Sequence, residues 1–518
     1  MNSPLTVSSP ILPTNRPRAA DQNLTLLKSL LSLFLFAPVV LLAIGLPAGL
    51  NLAPLVLVIL SLGAAFTIVR ACNLVRMAQR IRATFEAEVA PGALALRLQH
   101  VIVVPIYKES VETIGRTLRR LASHESAATN YIVLCAFEKH DPAHEDKMRR
   151  IRETYDHDFL TLVTSIHTLA PHECPGKASN VDHAVRTFAA SQTPESFAET
   201  IVTVIDCDTL IDRRYFAELE RCAAGTVEPH AAVFAAPAFF AGNRAEVPCF
   251  VRAMDDLWSL SAAANIFSVS GMGFPISTYS LSLRMLNEMD YWDVDADAVG
   301  EDFHTFVKAA VKFGDRARLV PLAVPMNNEH VSGYDYRGSL LARYSQSLRH
   351  ALGISSTAYL MRHMASSCSP RRLLLLVLCL ESHLLPLLYF ASGLYILGCL
   401  VTGRFAEDFG VYRLTWLLGL WCVSTVAFCI AFGVYKRMQY FLRRHGFGQP
   451  TDWAVSLATD GLDLTVQGTC ALAYFVVPFG YRAYQNLVFR RHRTYYNRIE
   501  ERTRKYCEAG PREFSRRA

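Results

Sequence analysis

Two long apolar runs near the start of the chain place the strongest limit on how it can fold. Leu24–Leu46 and Leu52–Cys72 are each about long enough to cross a bilayer as a helix, and the turn between them, Pro47–Asn51, carries no charge. Basic residues lie instead at the outer ends of the two runs: Arg16, Arg18 and Lys28 flank the start of the first, and Arg70, Arg76, Arg80 and Arg82 flank the end of the second. Because basic flanks stay on the cytoplasmic side, the sequence predicts a two-helix transmembrane hairpin over residues 24–72. The polar, proline-containing residues 1–23 before it are predicted to form a disordered cytoplasmic tail.

A second apolar region covers residues 371–486. Leu414–Tyr435 predicts an uninterrupted span. Leu373–Val401 is interrupted by Glu381, His383 and Pro386, so it is predicted to form an interfacial turn followed by a span.

The last apolar run, Trp453–Tyr484, contains Asp460 and Asp463. Carboxylates are costly in lipid, so this run is interpreted as interfacial, re-entrant or functional. The C-terminal region is therefore expected to hold two to four helices, followed by a basic tail at residues 487–518. The number of crossings and the side of that tail stay open.

Between these regions, residues 83–370 have no apolar run of membrane length and predict a cytoplasmic domain. Apolar strand-like runs alternate with helix-like segments, a pattern typical of an α/β fold with a mostly parallel sheet. The net charge of +6 comes largely from basic residues beside the apolar runs, which argues against a nucleic-acid-binding surface. The thirteen cysteines form no Cys-x-x-Cys pair and no zinc pattern, so they are predicted to be reduced and structural.

One segment of this domain ends in two carboxylates. Ile201–Ile205 is a continuous apolar run that predicts a buried strand, and Asp206 and Asp208 follow it. Ligands of open α/β sheets bind at the carboxyl ends of the strands. Paired carboxylates there suit a divalent cation that also binds phosphate oxygens. The alternative is an ordinary solvated turn after a core strand.

Five further motifs accompany this one in a fixed order. They are Val104-Pro-Ile-Tyr-Lys-Glu109, Gly176-Lys-Ala-Ser-Asn180, Phe234-Ala-Ala-Pro-Ala-Phe-Phe240, Gly300-Glu-Asp302 and Arg343-Tyr-Ser-Gln-Ser-Leu-Arg-His350. Together with Asp206-Cys-Asp208, this order resembles the family 2 glycosyltransferases, particularly the membrane-embedded cellulose, chitin and hyaluronan synthases. The resemblance covers about residues 98–352. It implies a GT-A-like nucleotide-sugar-binding domain, a UDP-sugar donor and Mg²⁺ or Mn²⁺ as cofactor.

The resemblance also implies a role for each residue on the donor side. Asp208 is expected to ligate the metal and Asp206 to lie nearer the sugar or ribose. Lys177 is expected to contact the diphosphate or uridine; a solvated lysine at a helix start is the alternative. The family usually has Asp near the nucleobase, whereas this chain has Glu138. Either Glu138 contacts the nucleobase through its longer side chain, or it makes no such contact.

Asp302 matches the catalytic carboxylate of the family's Thr-Glu-Asp motif. Such a base takes the proton from the acceptor hydroxyl as that hydroxyl attacks the anomeric carbon. Glu301 is expected to support it on the acceptor side. The alternative is that the two acids only begin a helix, where negative charge is favourable.

Gln346, Arg349 and His350 occupy the positions of the Gln-x-x-Arg-Trp motif of processive synthases. Arg349 suits bidentate contact with the departing diphosphate, and Gln346 is assigned to the donor side with it. His350 replaces the family's Trp and is interpreted as a polar contact to the acceptor or, alternatively, as a capped core residue. This departure leaves acceptor geometry and processivity open. Phe240 belongs to a Phe-Phe pair expected near the acceptor, although aromatic pairs are also common in cores.

Three hypotheses for function follow. The first is an inverting enzyme that extends a polysaccharide and moves it through its own membrane helices. The second is transfer of one sugar to a lipid or polyprenyl carrier. The third, a non-catalytic transporter or scaffold, rests only on Asp460 and Asp463. All three place a multi-pass protein in contact with membrane lipids.

Overall fold

The computed structural model describes residues 47–87, 98–171, 173–295, 300–364, 368–446 and 453–481, with scattered positions between 27 and 45. The predicted tails, residues 1–23 and 487–518, lie outside the described residues, as does much of the first apolar run.

The helices alternate with strands through the middle of the chain and are long at both ends. They are α1 Ala53–Glu86, α2 Val111–Ala122, α3 Ala127–Asn130, α4 His144–Tyr155, α5 Lys177–Ala189, α6 Tyr215–Ala224, α7 Cys249–Ile266, α8 Leu283–Glu288, α9 Glu301–Phe313, α10 Tyr336–His350, α11 Ile354–Met364, α12 Pro370–Val401, α13 Phe405–Arg444 and α14 Trp453–Ala471.

The described residues contain ten strands in two sheets. They are β1 Gln99–Ile106, β2 Tyr131–Glu138, β3 Thr161–His167, β4 Thr200–Val204, β5 Leu210–Ile211, β6 Ala232–Ala235, β7 Ala238–Phe240, β8 Tyr279–Ser282, β9 Arg318–Pro321 and β10 Met326–Asn328. The main sheet has the order β3-β2-β1-β4-β8-β6-β9, and β8 alone runs antiparallel to its neighbours. This confirms the prediction of an α/β fold with a mostly parallel sheet.

The side chains of β1 alternate between two hydrophobic cores, one on each face of the sheet. Val101 and Val103 face a core shared with α5, and Ile102 and Val104 face a second core shared with α2. All four side chains are fully buried. A run of β-branched residues without polar alternation is what a central parallel strand requires. The carboxyl ends of β1, β2 and β4 therefore meet at one edge.

The second sheet is small and lies beyond that edge. Its order is β5-β10-β7, with Leu210 opposite Asn327 and Phe240 opposite Asn328. Because β5 follows Asp208 directly, this sheet brings Phe240 and the segment after Asn328 toward the loop that carries the paired carboxylates.

Four helical segments in the described part of the chain are long and apolar enough to cross a membrane. They are Ala53–Glu86, Pro370–Val401, Phe405–Arg444 and Ala458–Tyr481; the last includes the π-helical turn Leu472–Val476. The second apolar run continues as helix far beyond its predicted end at Cys72. The interfacial turn considered for Leu373–Val401 is absent, because α12 runs continuously through Pro386. Membrane helices tolerate such a proline when neighbouring groups satisfy the freed carbonyl.

Candidate active site

The two carboxylates after β4 lie in a loop rather than on the strand. β4 ends at Val204, and Asp206 and Asp208 are both half-buried beyond it. The hydroxyl of Thr117 on α2 donates to the Cys207 carbonyl oxygen at 2.7 Å, which fixes the loop to the sheet edge. The amide of Thr209 donates to the Asp206 carbonyl oxygen at 2.9 Å and closes the turn.

Lys177 joins three segments of the chain. Its Nζ lies 2.7 Å from Oδ1 of Asp206 and 2.8 Å from Oε1 of Glu301, and it donates to the carbonyl oxygen of Ser277 at 2.7 Å. Burial disfavours its charge, yet the two carboxylates raise the pKa of Lys177 well above its ordinary value. Lys177 is therefore a fixed cation at the centre of what we call the Lys177 cluster: Lys177, Asp206, Ser277, Glu301 and Asp302.

Ser277 links the two predicted acidic motifs and was missed from the sequence. Its hydroxyl donates to Oδ2 of Asp206 at 2.7 Å, and its amide donates to Oδ2 of Asp302 at 2.8 Å. It has a φ of 63°, in the left-handed region that residues other than glycine rarely adopt. No pattern in the sequence marks such a serine, because the conformation is imposed by contacts between distant segments.

The local charge balance is strongly negative. Burial raises the pKa of Asp208 to about 7, and Asp206, Glu109 and Glu329 add to that rise. Burial likewise raises the pKa of Glu301 to about 7, opposed by Lys177 and assisted by Asp302 and Asp206. Burial and neighbouring carboxylates thus outweigh the one lysine of the cluster, and perturbed carboxylates of this kind are typical of functional sites.

The described residues contain no group of three or more His, Cys, Asp or Glu side chains arranged to hold a metal ion. A hard divalent cation still fits beside Asp208, because the surplus of carboxylates favours positive charge there. Such cations use oxygen ligands and accept phosphate oxygens and water for the remainder of their coordination.

Glu138 lies at the end of β2 on the same sheet edge. Its Oε1 accepts a hydrogen bond from Nδ1 of His167 at 2.9 Å, and Nε2 of His167 lies 3.0 Å from Oε2 of Glu173. Neither His167 nor Glu173 was singled out from the sequence. Their contribution depends on the pairing of β2 with β3, which places Glu138 opposite His167.

The predicted Gln-x-x-Arg-His motif lies on α10. Gln346 accepts from Nη1 of Arg343 at 3.0 Å, whereas Arg349 and His350 are exposed. Among the described residues, no hydrogen bond or ion pair joins Gln346, Arg349 or His350 to the Lys177 cluster. An indole from another element lies beside the position where the family has Trp, since the rings of Trp258 and His350 are 5.0 Å apart.

A buried chain of contacts connects α10 to the Phe-Phe pair. Nε of Arg343 lies 2.8 Å from Oδ1 of Asp255, and Nδ1 of His330 lies 2.8 Å from Oδ2 of the same carboxylate. The ring of His330 lies 5.3 Å from the ring of Phe240. Phe239 is fully buried against Tyr435, so Phe240 is the member of the pair on the partly exposed side.

Asp460 and Asp463 belong to a second group of charges, which we call the interface cluster. Its members are Arg244, Arg252, Asp256, Lys436, Asp460 and Asp463. Arg244 lies 3.0 Å from Asp256 and 2.8 Å from Asp460, and Arg252 lies 2.9 Å from Asp463. Lys436 lies 3.0 Å from Asp460 and also pairs with Asp256. These ion pairs attach the α/β domain to α13 and α14 and account for both carboxylates without a transport path.

Comparison with known proteins places the fold. Residues 201–457, just under half of the chain, match the sequence model of the family described as "Glycosyl transferase family group 2". No curated protein sequence matches the chain. With the mostly parallel sheet, the family match supports a family 2 glycosyltransferase of GT-A-like fold.

Solved structures give distant similarities. A mannosyltransferase from Pyrobaculum calidifontis in complex with GDP-Man and Mn²⁺ is 16% identical over 71% of this chain and 98% of its own, with a TM-score of 0.42. S. aureus TarS 1–349 in complex with UDP-GlcNAc is 13% identical over 62% of this chain and 92% of its own, with a TM-score of 0.32. GalNAc-T7 with UDP, GalNAc and Mn²⁺ is 8% identical over 45% of this chain and 43% of its own, with a TM-score of 0.29.

Proposed function

We propose that this chain, with its family 2 glycosyltransferase domain, transfers a sugar from a UDP-sugar to a polysaccharide acceptor with inversion at the anomeric carbon. The observation that carries the proposal is the Lys177 cluster. It brings a lysine, the acid after β4 and the Glu-Asp pair of α9 into one hydrogen-bonded group at the carboxyl edge of the sheet.

Asp302 is the proposed general base. The acceptor hydroxyl attacks the anomeric carbon, the bond from that carbon to the diphosphate oxygen breaks, and Asp302 takes the hydroxyl proton. One carboxylate oxygen is oriented by the Ser277 amide at 2.8 Å and the other by the Phe303 amide at 2.8 Å. Asp302 is assigned as the base and no side chain is assigned as a nucleophile, which corresponds to a single displacement with inversion.

Lys177 and Asp208 act on the leaving diphosphate. Lys177 provides positive charge beside Asp206, where negative charge develops as the glycosidic bond breaks. Asp208 would hold a divalent cation, Mg²⁺ or Mn²⁺, which neutralises diphosphate charge when bound. Gln346 and Arg349 are proposed to reach the donor from α10, which requires movement of that helix or of the donor toward it.

The acceptor side faces the membrane helices. The backbone oxygen of Phe240 accepts from Nε2 of Gln439 on α13 at 2.8 Å, so a proposed acceptor residue is attached directly to an apolar helix. Phe240 is also linked to α10, the helix of His350, through His330, Asp255 and Arg343. This arrangement favours an acceptor that passes from the α/β domain toward the helices. The proposed orientation places the α/β domain in the cytoplasm.

One observation favours the lipid-linked alternative. An apolar cavity of about 600 Å³ opens between α1 and α13, lined by residues such as Ile68, Cys72, Val75, Cys422 and Val426. A prenyl or acyl chain of a carrier lipid is compatible with such a lining.

Nucleotide release by the purified chain in nanodiscs tests the proposal. A panel of UDP- and GDP-sugars is supplied with Mn²⁺ or Mg²⁺ and with either oligosaccharide or lipid-carrier acceptors. We expect metal-dependent release from one UDP-sugar. A product ladder on a gel would indicate the polysaccharide synthase and a single addition the lipid-linked reaction. No release from any sugar nucleotide with either acceptor class would contradict the proposal.

A further inference from the structure

A histidine at the edge of the donor side is enclosed by two carboxylates. His167 ends β3 and is 2% exposed, with Nδ1 at 2.9 Å from Oε1 of Glu138 and Nε2 at 3.0 Å from Oε2 of Glu173. Glu173 is itself held, because its Oε2 accepts from the amide of Ala170 at 2.6 Å. Both ring nitrogens face acceptors, which only the doubly protonated imidazolium satisfies.

The surroundings favour that protonated form. Burial opposes the charge, but Glu138 and Glu173 raise the pKa of His167 to about 9. The other titratable ring against it is His183 of α5, 5.2 Å away, and burial lowers the pKa of His183. His167 is thus the cation of this group at neutral pH, and it lies between the carboxyl groups of Glu138 and Glu173.

The position of this group points to the donor. β2, which ends in Glu138, pairs with β1, and β1 pairs with β4, which precedes Asp206. Helix α5 crosses the same edge, with Lys177 at its start and Asn180 donating to the Ala136 carbonyl oxygen at 2.8 Å. A donor with its diphosphate at Lys177 therefore has its nucleobase end directed along this edge.

We propose that His167 and Glu173 are positioning residues that fix Glu138 so that one carboxylate oxygen accepts a single N–H from a uracil base. This rests on the proposed function and adds nucleotide selectivity to it. Oε1 of Glu138 is taken by His167, which leaves Oε2 for the nucleotide. Uracil presents one N–H on its pairing edge, whereas guanine presents two adjacent donors, which pair best with both oxygens of a free carboxylate.

The test measures UDP and GDP binding to the full chain in nanodiscs by calorimetry, for wild type and His167→Asn. We expect wild type to prefer UDP, and His167→Asn to weaken UDP binding about tenfold, the effect of losing one charge-assisted orienting contact. The preference for UDP over GDP becomes smaller in His167→Asn, because Glu138 is no longer held by His167. His183→Asn, the same substitution at the neighbouring ring outside the three-residue chain, is the control and keeps the wild-type preference.

A second variant is designed to keep the fold and to change the pH at which His167 loses its proton. Glu173→Gln preserves size and removes one charge, so the loss of UDP affinity with rising pH begins at lower pH than in wild type. The shift between the two proteins is the readout, because the uracil N–H also ionises in alkaline solution. In Glu173→Gln the KM for the donor changes together with the UDP affinity, while kcat stays near the wild-type value.

The outcomes separate this inference from the proposed transfer. Unchanged UDP affinity in His167→Asn, together with an unchanged pH profile in Glu173→Gln, would overturn the positioning role. Turnover of a GDP-sugar with UDP-sugars ignored would overturn the uracil assignment and leave glycosyl transfer standing. Absence of turnover with any sugar nucleotide would refute the proposed function itself.

Discussion

The Lys177 cluster and the interface cluster are built from the same kinds of charged side chain but differ in charge balance. In the interface cluster three cations face three carboxylates: Arg244, Arg252 and Lys436 against Asp256, Asp460 and Asp463. Around the Lys177 cluster two cations, Lys177 and Arg116, face six carboxylates: Glu109, Asp206, Asp208, Glu301, Asp302 and Glu329.

The pKa values of the acids follow this difference. Burial opposes ionisation in both places, but Arg244 and Lys436 hold the pKa of Asp256 below its ordinary range. In the site, burial raises the pKa of Asp208 and of Glu301 to about 7. Balanced charge is therefore found where the α/β domain is attached to the long apolar helices, and an excess of carboxylates is found at the proposed ligand site.

The largest expected effect comes from removing the central cation of the site. In Lys177→Met, turnover should fall about 10²–10³-fold, because the positive charge beside the diphosphate is lost. Steady-state nucleotide release measures this. Lys312→Met on α9, an exposed lysine, is the control and should behave as wild type. Equal turnover in the two variants would remove the functional distinction between the clusters.

The interface cluster should respond in stability instead. Asp463→Asn removes the charge of the carboxylate that pairs with Arg252, and of one of the three carboxylates that pair with Arg244. Breaking such a buried pair costs about 3–5 kcal/mol. The thermal unfolding midpoint should fall, while turnover per folded molecule is retained. Glu153→Gln removes an exposed partner of Arg149 and should leave the midpoint unchanged. A wild-type midpoint in Asp463→Asn would mean that the interface cluster does not anchor the domain.

Glu301 sharpens the comparison through pH. Its pKa rises from 4.5 to about 7 on folding, so the native state holds the proton more tightly and loses stability as pH rises between those values. Above pH 7, the ionised Glu301 lowers the free energy of unfolding by roughly 3 kcal/mol. Glu301→Gln removes this loss, so the variant should gain stability relative to wild type at pH 8 and not at pH 4. An equal difference in stability at both pH values would contradict the raised pKa of Glu301.

The smallest effect is expected where the two regions meet. Gln439→Leu removes hydrogen bonds to the Phe240 carbonyl oxygen at 2.8 Å and to Oδ1 of Asp256 at 3.1 Å. We expect a stability loss of about 1–2 kcal/mol and a modest rise in the acceptor KM, with the donor KM unchanged. A rise in the donor KM alone would place Phe240 on the other side of the site.

Much of the fold follows from local patterns. Continuous apolar runs identify β1 and β4 as buried parallel strands, and strand–helix alternation gives the sheet. The same rule places Asp206 at the carboxyl edge, and Lys177 and Glu301 do meet it there. Helix continuity through Pro386 is less predictable, because it depends on neighbours in space rather than on the proline.

What the sequence could not give depends on contacts between distant segments. Asp460 and Asp463 look unpaired in an apolar run, because their partner Arg244 lies more than 200 residues earlier. Ser277 bridges two acidic motifs only through a strained backbone conformation. Trp258 beside His350 and His167 beside Glu138 likewise depend on packing and strand pairing, which no single motif records.

The most direct test is to measure turnover and UDP binding together in Asp302→Asn. The expected result is a loss of turnover of about 10²–10⁴-fold, with UDP affinity and the thermal midpoint preserved, because only the proton acceptor is removed. Asp315→Asn, the same substitution at an exposed aspartate after α9, should match wild type in all three. Turnover retained in Asp302→Asn would contradict the assignment of the base and, with it, the site proposed here.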